Sequence, residues 1–183
     1  MKYQSLAFLL SFSAATLSAF AVEEEYGFTP EETYQQLQEN AEEILFVDVR
    51  DPVEIQFIGF TDLIDVNIPF LLVDREQWDE EKSRFVMRRN GDFVRLVREA
   101  LQEKGLGEDA MIITMCRSGS SRGQPSAALL REKGLPNSYF VINGFQGDPV
   151  SEGLLKGFRL KNGWQNAGLP WGWKINGAKI AKP

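Results

Sequence analysis

The residues best suited to chemistry lie together in one short stretch of the chain. Two arginines and four small residues follow the only cysteine, in the order Cys116, Arg117, Ser118, Gly119, Ser120, Ser121 and Arg122. Gly119 can adopt a positive φ, so the stretch can curl tightly and point several backbone N–H groups inward. Such groups bind anions and stabilise a thiolate, as do the two arginines. We therefore predict a sulfur nucleophile, Cys116, beside an oxyanion pocket formed by residues 117–122.

A strand and a helix are predicted on either side of this loop. Residues 110–114 are apolar and partly β-branched, which indicates a buried strand. Residues 123–134 favour a helix, with Pro125 in its first turn and Gly134 as its stop. Cys116 is therefore expected at the tip of a strand, where the positive end of a helix adds to the anion pocket.

The complete absence of histidine limits the chemistry that Cys116 can perform. It excludes Ser-His-Asp and Cys-His catalysis, so the cysteine acts without an imidazole base. It also excludes the commonest zinc sites, and no cysteine cluster replaces them. We predict no metal and no cofactor. A single cysteine forms no internal disulfide, so its thiol is free or pairs with another molecule.

The first 21 residues have the pattern of a secretory signal. Lys2 precedes an apolar region, residues 6–17, and Ala19-Phe20-Ala21 fits a cleavage site after Ala21. An uncleaved anchor is the alternative. The net charge of −6 argues against nucleic acids and anionic membranes as partners. We expect a periplasmic or secreted protein that leaves the membrane once the signal is cleaved.

Strands alternate with helices along the rest of the chain, which indicates a parallel sheet covered on both faces. Helices are expected at residues 30–40 and 93–104, and strands at residues 44–49, 63–68 and 138–142. Asp48 and Arg50 lie at the end of the first of these strands, where α/β proteins place their sites. We therefore treat both as supporting site residues. The alternative is structural, with Asp48 capping the turn and pairing with Arg50.

Two further segments have no obvious chemistry. The most charged part of the chain, residues 74–89, is predicted to form helix and loop over the surface. The aromatic C-terminal tail, about residues 151–183, holds Trp164, Trp171 and Trp173. The tryptophans either cover an edge of the domain or form a docking patch for a protein partner.

The tail with Gly168-Leu169-Pro170-Trp171 resembles that of exported members of the single-domain rhodanese-like sulfurtransferases. Several short motifs, in the right order, also resemble those of this family. They are residues 47–52 with Glu54 and Gly59, residues 67–69, Cys116-Arg117-Ser118-Gly119, residues 127–130, Gly134-Leu135 and Asn143-Gly144-Phe145. The resemblance implies a rhodanese-like α/β fold for residues 22–183, with a five-stranded parallel sheet flanked by helices on both faces. It also implies that Cys116 carries a persulfide.

The chain departs from the family pattern at two places. Phe60 stands near the position where the family usually has a histidine, which we interpret as structural. The loop is one residue longer than the common form, and Arg122 follows Cys116 by six positions, the spacing of cysteine phosphatases. A wider loop suits phosphate or arsenate, so a phosphatase or arsenate reductase is the rival enzyme. A non-catalytic sulfur carrier or binding module is the third reading.

Sulfur transfer remains the preferred hypothesis. A Cys116 thiolate would take the outer sulfur of thiosulfate or a similar small anionic donor, and a thiol or cyanide would then accept it. None of these steps needs a strong base, which agrees with the lack of histidine. We expect Arg122 to face the bound anion, and Arg117 to point outward or towards the carboxylate of Asp48 or Glu54.

Overall fold

A computed structural model describes residues 25–181, so the predicted signal at residues 1–21 lies outside the described residues. The elements in chain order are β1 Gly27–Phe28, α1 Pro30–Asn40, β2 Ile44–Asp48, α2 Pro52–Ile58, β3 Val66–Asn67, β4 Leu71–Asp79, β5 Arg84–Arg89, α3 Phe93–Glu103, β6 Met111–Met115, α4 Gly123–Glu132 and β7 Ser138–Val141. Within this part of the chain no helix has the length and apolar character needed to cross a membrane.

The main sheet has five parallel strands in the order β1-β7-β6-β2-β3. Apolar side chains of α3 and α4 pack on one face with Leu45, Val47 and Ile112. Leu37 of α1 and Ile55 of α2 pack on the other face. The predicted fold, a five-stranded parallel sheet with helices on both faces, is confirmed. β6 lies in the middle of the sheet, so the residue that follows it is surrounded by other elements.

Local signals explain where α1 and α2 begin. Thr29 accepts a hydrogen bond from the Glu32 N–H at 3.1 Å, and Glu32 accepts one from the Thr29 N–H at 2.8 Å. This reciprocal pair is a capping box, which satisfies N–H groups that a helix start leaves without partners. Asp51 and Glu54 form the same arrangement at the start of α2. Both helices therefore have fixed first turns.

The charged segment at residues 74–89 was predicted as helix and loop, and this prediction is wrong. β4 and β5 form an antiparallel hairpin that is separate from the main sheet. Cross-strand contacts hold it: Asp74 pairs with Arg88 at 2.5 Å, and the rings of Trp78 and Phe85 meet edge to face at 5.4 Å. Because such pairs rather than burial stabilise the hairpin, its sequence lacks a clear apolar face.

The strand predicted at residues 63–68 is shorter in the structure. Only Val66–Asn67 pairs with β2, because the preceding residues form a turn in which the Ile64 N–H donates to the Thr61 carbonyl. The lead-in residues Gly27–Phe28, for which no strand was predicted, pair with β7 as the edge strand β1. Both differences concern two-residue strands at the two edges of the sheet.

The aromatic tail covers one face of the domain. Trp164 is fully buried and packs against Phe46 of β2, with 5.7 Å between the ring centroids. Trp171 contacts Phe145 edge to face at 6.2 Å, and Trp173 is exposed beside it. Trp164 therefore has the covering role that was one of the two alternatives. Docking of a partner on the tail stays a prediction.

Candidate active site

Cys116 follows β6 directly, at the C-terminal edge of the sheet, as predicted. Cys116 is 0% exposed, so its thiol is buried and does not lie on the surface. Gly119 has a φ of 83° and turns the loop, and its carbonyl accepts the Gln124 N–H at 2.9 Å. The loop thus curls back into α4 in the way that its small residues allow.

The backbone N–H groups of the loop lack protein acceptors. Between Arg117 and Arg122 none of them donates to an acceptor within residues 25–181. Ser118 is half-buried, whereas Ser120 and Ser121 are exposed. Backbone N–H groups that are left unpaired in a tight curl form a concave site for anions. The loop therefore has the donors that the sequence predicted for an oxyanion pocket.

The start of α4 lies against the thiol. A Cβ atom added at Gly123 would be 3.6 Å from the Cys116 Sγ. The Gly123 carbonyl accepts hydrogen bonds from the Thr114 hydroxyl at 3.0 Å and from the Ser126 hydroxyl at 2.7 Å. These bonds fix the first turn of the helix beside the sulfur, where the positive end of the helix dipole stabilises negative charge.

A second turn, at Asn143 and Gly144, packs against the backbone of the Cys116 loop. Asn143 and Gly144 have φ values of 61° and 56°, and the next N–H, that of Phe145, donates to the Cys116 carbonyl at 2.8 Å. A Cβ atom at Gly144 would lie 2.3 Å from that carbonyl oxygen, so only glycine fits. The sequence indicated a turn here but not its contact with Cys116. The Asn-Gly pair, typical of left-handed turns, was the available signal.

The guanidinium of Arg122 forms a bidentate ion pair with Glu54 of α2. Arg122 was expected to face a bound anion, and this ion pair was not part of that expectation. Nη2 lies 2.9 Å from Oε1, and Nη1 donates to Oε2. Arg122 is 5% exposed. Burial raises the pKa of Glu54, but the hydrogen bonds and charge of Arg122 outweigh it and hold the pKa below its ordinary 4.5. Glu54 is therefore an ionised clamp on the end of the loop.

Arg117 contacts neither Asp48 nor Glu54, so of its two expected directions the one towards these carboxylates is wrong. Its Nε donates to the side-chain oxygen of Gln146 at 2.8 Å, and the residue is half-buried. Its carbonyl accepts the N–H groups of Gln146 and Gly147 at 2.8 and 3.1 Å. The geometry follows from the turn at Asn143, which brings Gln146 alongside the loop. Gln146 is a site residue that the sequence did not reveal.

Asp48 and Arg50 form the ion pair that the structural alternative described. Both are fully buried, with Nη2 of Arg50 2.5 Å from Oδ2 of Asp48, and the Arg50 N–H donates to Oδ1 at 3.0 Å. The Arg50 guanidinium also lies over the Phe145 ring, 4.1 Å from its centroid. The pair therefore fixes the end of β2 next to the turn that supports Cys116. Its role is positioning, and direct contact with substrate is not part of this geometry.

The assembled site combines a buried thiol, unpaired N–H donors, the start of a helix and a clamped arginine. It can stabilise negative charge on a group attached to the sulfur and hold an oxyanion beside it. Within residues 25–181 no three His, Cys, Asp or Glu side chains cluster in a way that could bind a metal ion.

Comparisons with known proteins agree with this fold. The family model of the rhodanese-like domain matches residues 29–147. The crystal structure of Rv0390 from M. tuberculosis is 25% identical, with a TM-score of 0.59 over 81% of this chain and 97% of that one. The polysulfide-sulfur transferase homodimer from Wolinella succinogenes is 20% identical, with a TM-score of 0.47 over 88% and 89% of the two chains. No curated protein matches the chain.

The family match spans the strands β2, β3, β6 and β7 of the main sheet, the Cys116 loop and the supporting turn at Asn143, and it covers more than half of the chain. The motifs between Val47 and Phe145 that suggested the resemblance lie within it, and the tail residues 168–171 lie outside it. The chain therefore belongs to the rhodanese-like domain family.

Proposed function

We propose that this protein transfers a sulfane sulfur through a persulfide on Cys116, and that thiosulfate or a related small anion is the donor. The observation that carries the proposal is the set of loop N–H groups, from Arg117 to Arg122, that have no acceptor within residues 25–181 and that directly follow the thiol in the chain. A persulfide places negative charge on its outer sulfur, and these donors, together with the start of α4, would stabilise that charge.

The donor step needs no acid or base from the protein. The Cys116 thiolate attacks the outer sulfur of thiosulfate, a new S–S bond forms, and the original S–S bond of the donor breaks. Sulfite leaves with the electron pair of that bond, and the outer sulfur stays on Cys116 as a persulfide anion. Because sulfite is a stable anion, no proton has to be supplied, which agrees with a chain that lacks histidine.

The acceptor step returns the thiolate. Cyanide or a thiolate attacks the outer sulfur, and the bond between this sulfur and Sγ breaks. The electron pair goes to Sγ, so Cys116 is ready for the next donor. The burial of Cys116 favours small or narrow reactants, because a bulky one does not reach a thiol beneath the loop.

The rival function, a phosphatase or arsenate reductase, is favoured by the spacing from Cys116 to Arg122. A phosphatase needs an acid to protonate the leaving alkoxide. Glu54 is the carboxylate bound to the end of the loop, and Arg122 keeps its pKa below the ordinary value. An ionised Glu54 has no proton to give. Sulfur transfer, whose leaving groups are stable anions, fits this electrostatic state better.

Intact mass measurement after incubation with thiosulfate tests the proposal. We expect the protein to gain the mass of one sulfur atom, to lose it with cyanide, and to release thiocyanate and sulfite in equal amounts. The Cys116→Ser variant should gain nothing, since an alcohol stays protonated and weakly nucleophilic. A persistent persulfide that neither cyanide nor thiols discharge would support a sulfur carrier instead. A phosphate adduct from an aryl phosphate, without any sulfur adduct, would establish the phosphatase.

We also propose that the reaction takes place in the periplasm or outside the cell, on the basis of the signal pattern in residues 1–21. N-terminal sequencing of the protein from its native host tests this. A mature chain that begins at Val22 supports export, and a chain that keeps Met1 or Lys2 contradicts it.

A further inference from the structure

A cavity of about 300 Å³ lies beside the Cys116 loop, and none of the steps above uses it. We name it the basic cleft, and it is lined by Arg117, Gln146, Lys156, Gly157, Phe158 and Arg159. Three of these six side chains are cationic. One of them, Arg117, is the neighbour of Cys116 in the chain, so the cleft and the proposed nucleophile share the same loop.

Two of the three cations of the cleft, Arg117 and Arg159, are held by side-chain hydrogen bonds. The tail folds into a closed loop, in which the Val150 N–H donates to the Phe158 carbonyl at 2.8 Å and the Gly157 N–H to the Val150 carbonyl at 2.9 Å. The Arg159 guanidinium donates to the Gly147 carbonyl, next to Gln146, which holds Arg117. The tail loop therefore places Arg159 at the side of the cleft that faces the Cys116 loop.

Within residues 25–181 these charges have no directly paired carboxylate, although the charge of Glu54 acts on Arg117 from a distance. No carboxylate of residues 25–181 lines the cleft, and Arg117, Lys156 and Arg159 form no ion pair with any described residue. Burial and then the charge of Arg159 hold the pKa of Arg117 below its ordinary value. Like charges at close range destabilise a fold unless an anion neutralises them. The arrangement is notable in a chain with a net charge of −6.

We propose that the basic cleft binds the carboxylates of the sulfur acceptor, and that this acceptor is a small thiol with two or more carboxylates. The inference rests on the proposed function, because it names the second substrate of the same site. The donor does not need the cleft, since the loop N–H groups already supply its oxyanion contacts. A second set of cations therefore selects the molecule that takes the sulfur away.

The chemistry and size of the cleft fit such a thiol. Guanidinium groups bind carboxylates through two parallel hydrogen bonds, and Arg159 and Arg117 each provide a planar fork. A volume of about 300 Å³ is at the lower end of the range for small-molecule sites. With its carboxylates held there, the acceptor thiolate attacks the outer sulfur on Cys116. The new S–S bond forms as the bond to Sγ breaks, and the Cys116 thiolate leaves with the electron pair.

Acceptor kinetics test the proposal with mercaptosuccinate as the dicarboxylate thiol and 2-mercaptoethanol as the neutral thiol. In Arg159→Gln we expect KM for mercaptosuccinate to rise about tenfold, the effect of one charge-assisted hydrogen bond. KM for 2-mercaptoethanol should change less than about twofold, as expected for a contact that this acceptor does not make. Lys174→Gln is the control, since this exposed lysine lies on the tail outside the cleft and should change neither value.

Two additions keep the test independent of folding and of the proposed reaction. The Lys156 side chain makes no hydrogen bond or ion pair within residues 25–181, so Lys156→Glu reverses a charge without removing the Arg159 contact, and it should also raise KM for mercaptosuccinate only. Binding of mercaptosuccinate to the Cys116→Ser protein, followed by NMR at the Gly157 and Phe158 amides, needs no turnover. If Cys116 gains no sulfur but this binding is present and lost in Arg159→Gln, the proposed function fails and the anion site stands. If sulfur transfer proceeds and both thiols respond equally to Arg159→Gln, the cleft proposal is overturned.

Discussion

The arginines on the two sides of the Cys116 loop differ in whether a carboxylate of the protein pairs with them. On the α2 side, Arg50 and Arg122 each form an ion pair with a carboxylate, Asp48 and Glu54 respectively. On the tail side, the guanidinium of Arg117 donates to the neutral amide of Gln146 and that of Arg159 to a backbone carbonyl, and neither pairs with a carboxylate among residues 25–181. The charges of Arg50 and Arg122 are neutralised by carboxylates of the protein, although Nη1 of Arg50 has no hydrogen-bond partner among the described residues. Arginines without carboxylate partners keep their binding capacity for a ligand.

Position in the loop therefore does not determine whether an arginine pairs with a carboxylate. Arg117 and Arg122 lie five residues apart and both flank the same small residues. Their partners come from distant segments, α2 for Arg122 and the turn after β7 for Arg117. The comparison predicts that substitutions on the α2 side act mainly on stability, and that those on the tail side act mainly on substrate use.

The largest effect is expected from Asp48→Asn. It leaves the Arg50 guanidinium buried without its carboxylate, and breaking a buried pair in this way costs about 3–5 kcal/mol of unfolding free energy. Denaturant unfolding measures the change. Asp62→Asn is a matched control, because Asp62 is exposed and pairs with Lys179 at the surface, where such pairs contribute less than about 1 kcal/mol. Equal losses in the two variants would remove the contrast between buried and exposed pairs.

The next effect is expected from Glu54→Gln, which keeps the shape of the side chain but removes the charge opposite Arg122. Because Glu54 is partly exposed, we expect a loss of about 2 kcal/mol at neutral pH rather than the full value for a buried pair. Glu99→Gln, which breaks an exposed pair with Arg95, is the control and should lose less than about 1 kcal/mol. If Glu54→Gln is as stable as wild type, the clamp on the loop is not a stabilising contact.

A smaller effect is expected in the way the difference in unfolding free energy between wild type and Glu54→Gln depends on pH. Arg122 holds the pKa of Glu54 below 4.5, so the folded state favours the ionised form. The stability that Glu54 contributes is then fully present above pH 4.5 and is lost as the pH falls through the lowered pKa of the folded state. The unfolding free energies of wild type and Glu54→Gln should converge only in this acidic range. Convergence between pH 6 and 8 would contradict the assignment.

The smallest effect on stability is expected from Arg117→Gln. No carboxylate loses its partner, and removing one of two neighbouring cations relieves repulsion, so unfolding free energy should change by less than about 0.5 kcal/mol. The same variant should lose affinity for mercaptosuccinate in the NMR titration. A loss of stability comparable to that of Glu54→Gln would place Arg117 with the structural arginines and erase the difference between the two sides.

Much of the site could be predicted because it depends on local signals. Apolar residues followed by Cys116 and a glycine turn indicate a strand end, and Gly119 has the positive φ that its place in the loop required. The capping box at Thr29 and the ion pair of Asp48 with Arg50 likewise involve residues a few positions apart. Such features follow from short-range geometry, which the sequence displays directly.

The partners of the two loop arginines could not be predicted in the same way. Glu54 lies 68 positions before Arg122, and Gln146 lies 29 positions after Arg117. Nothing local distinguishes the two arginines, so their partners depend on how α2 and the turn after β7 pack around the loop.

The β4–β5 hairpin was not predicted for another reason. Its alternating side chains are mostly exposed, so the period-two burial pattern that identifies strands is weak there.

The two carboxylates at the start of α2 bind more than their own helix. Asp51 caps the helix through the Val53 N–H and also accepts the Val73 N–H of the hairpin at 2.9 Å. Glu54 completes the capping box and forms the ion pair with Arg122. One helical turn is thus hydrogen-bonded both to the hairpin and to the end of the Cys116 loop. Fraying of α2 would remove one anchor from the hairpin and one from the end of the loop, so we expect the local stability of α2 to affect hydrogen exchange in both segments.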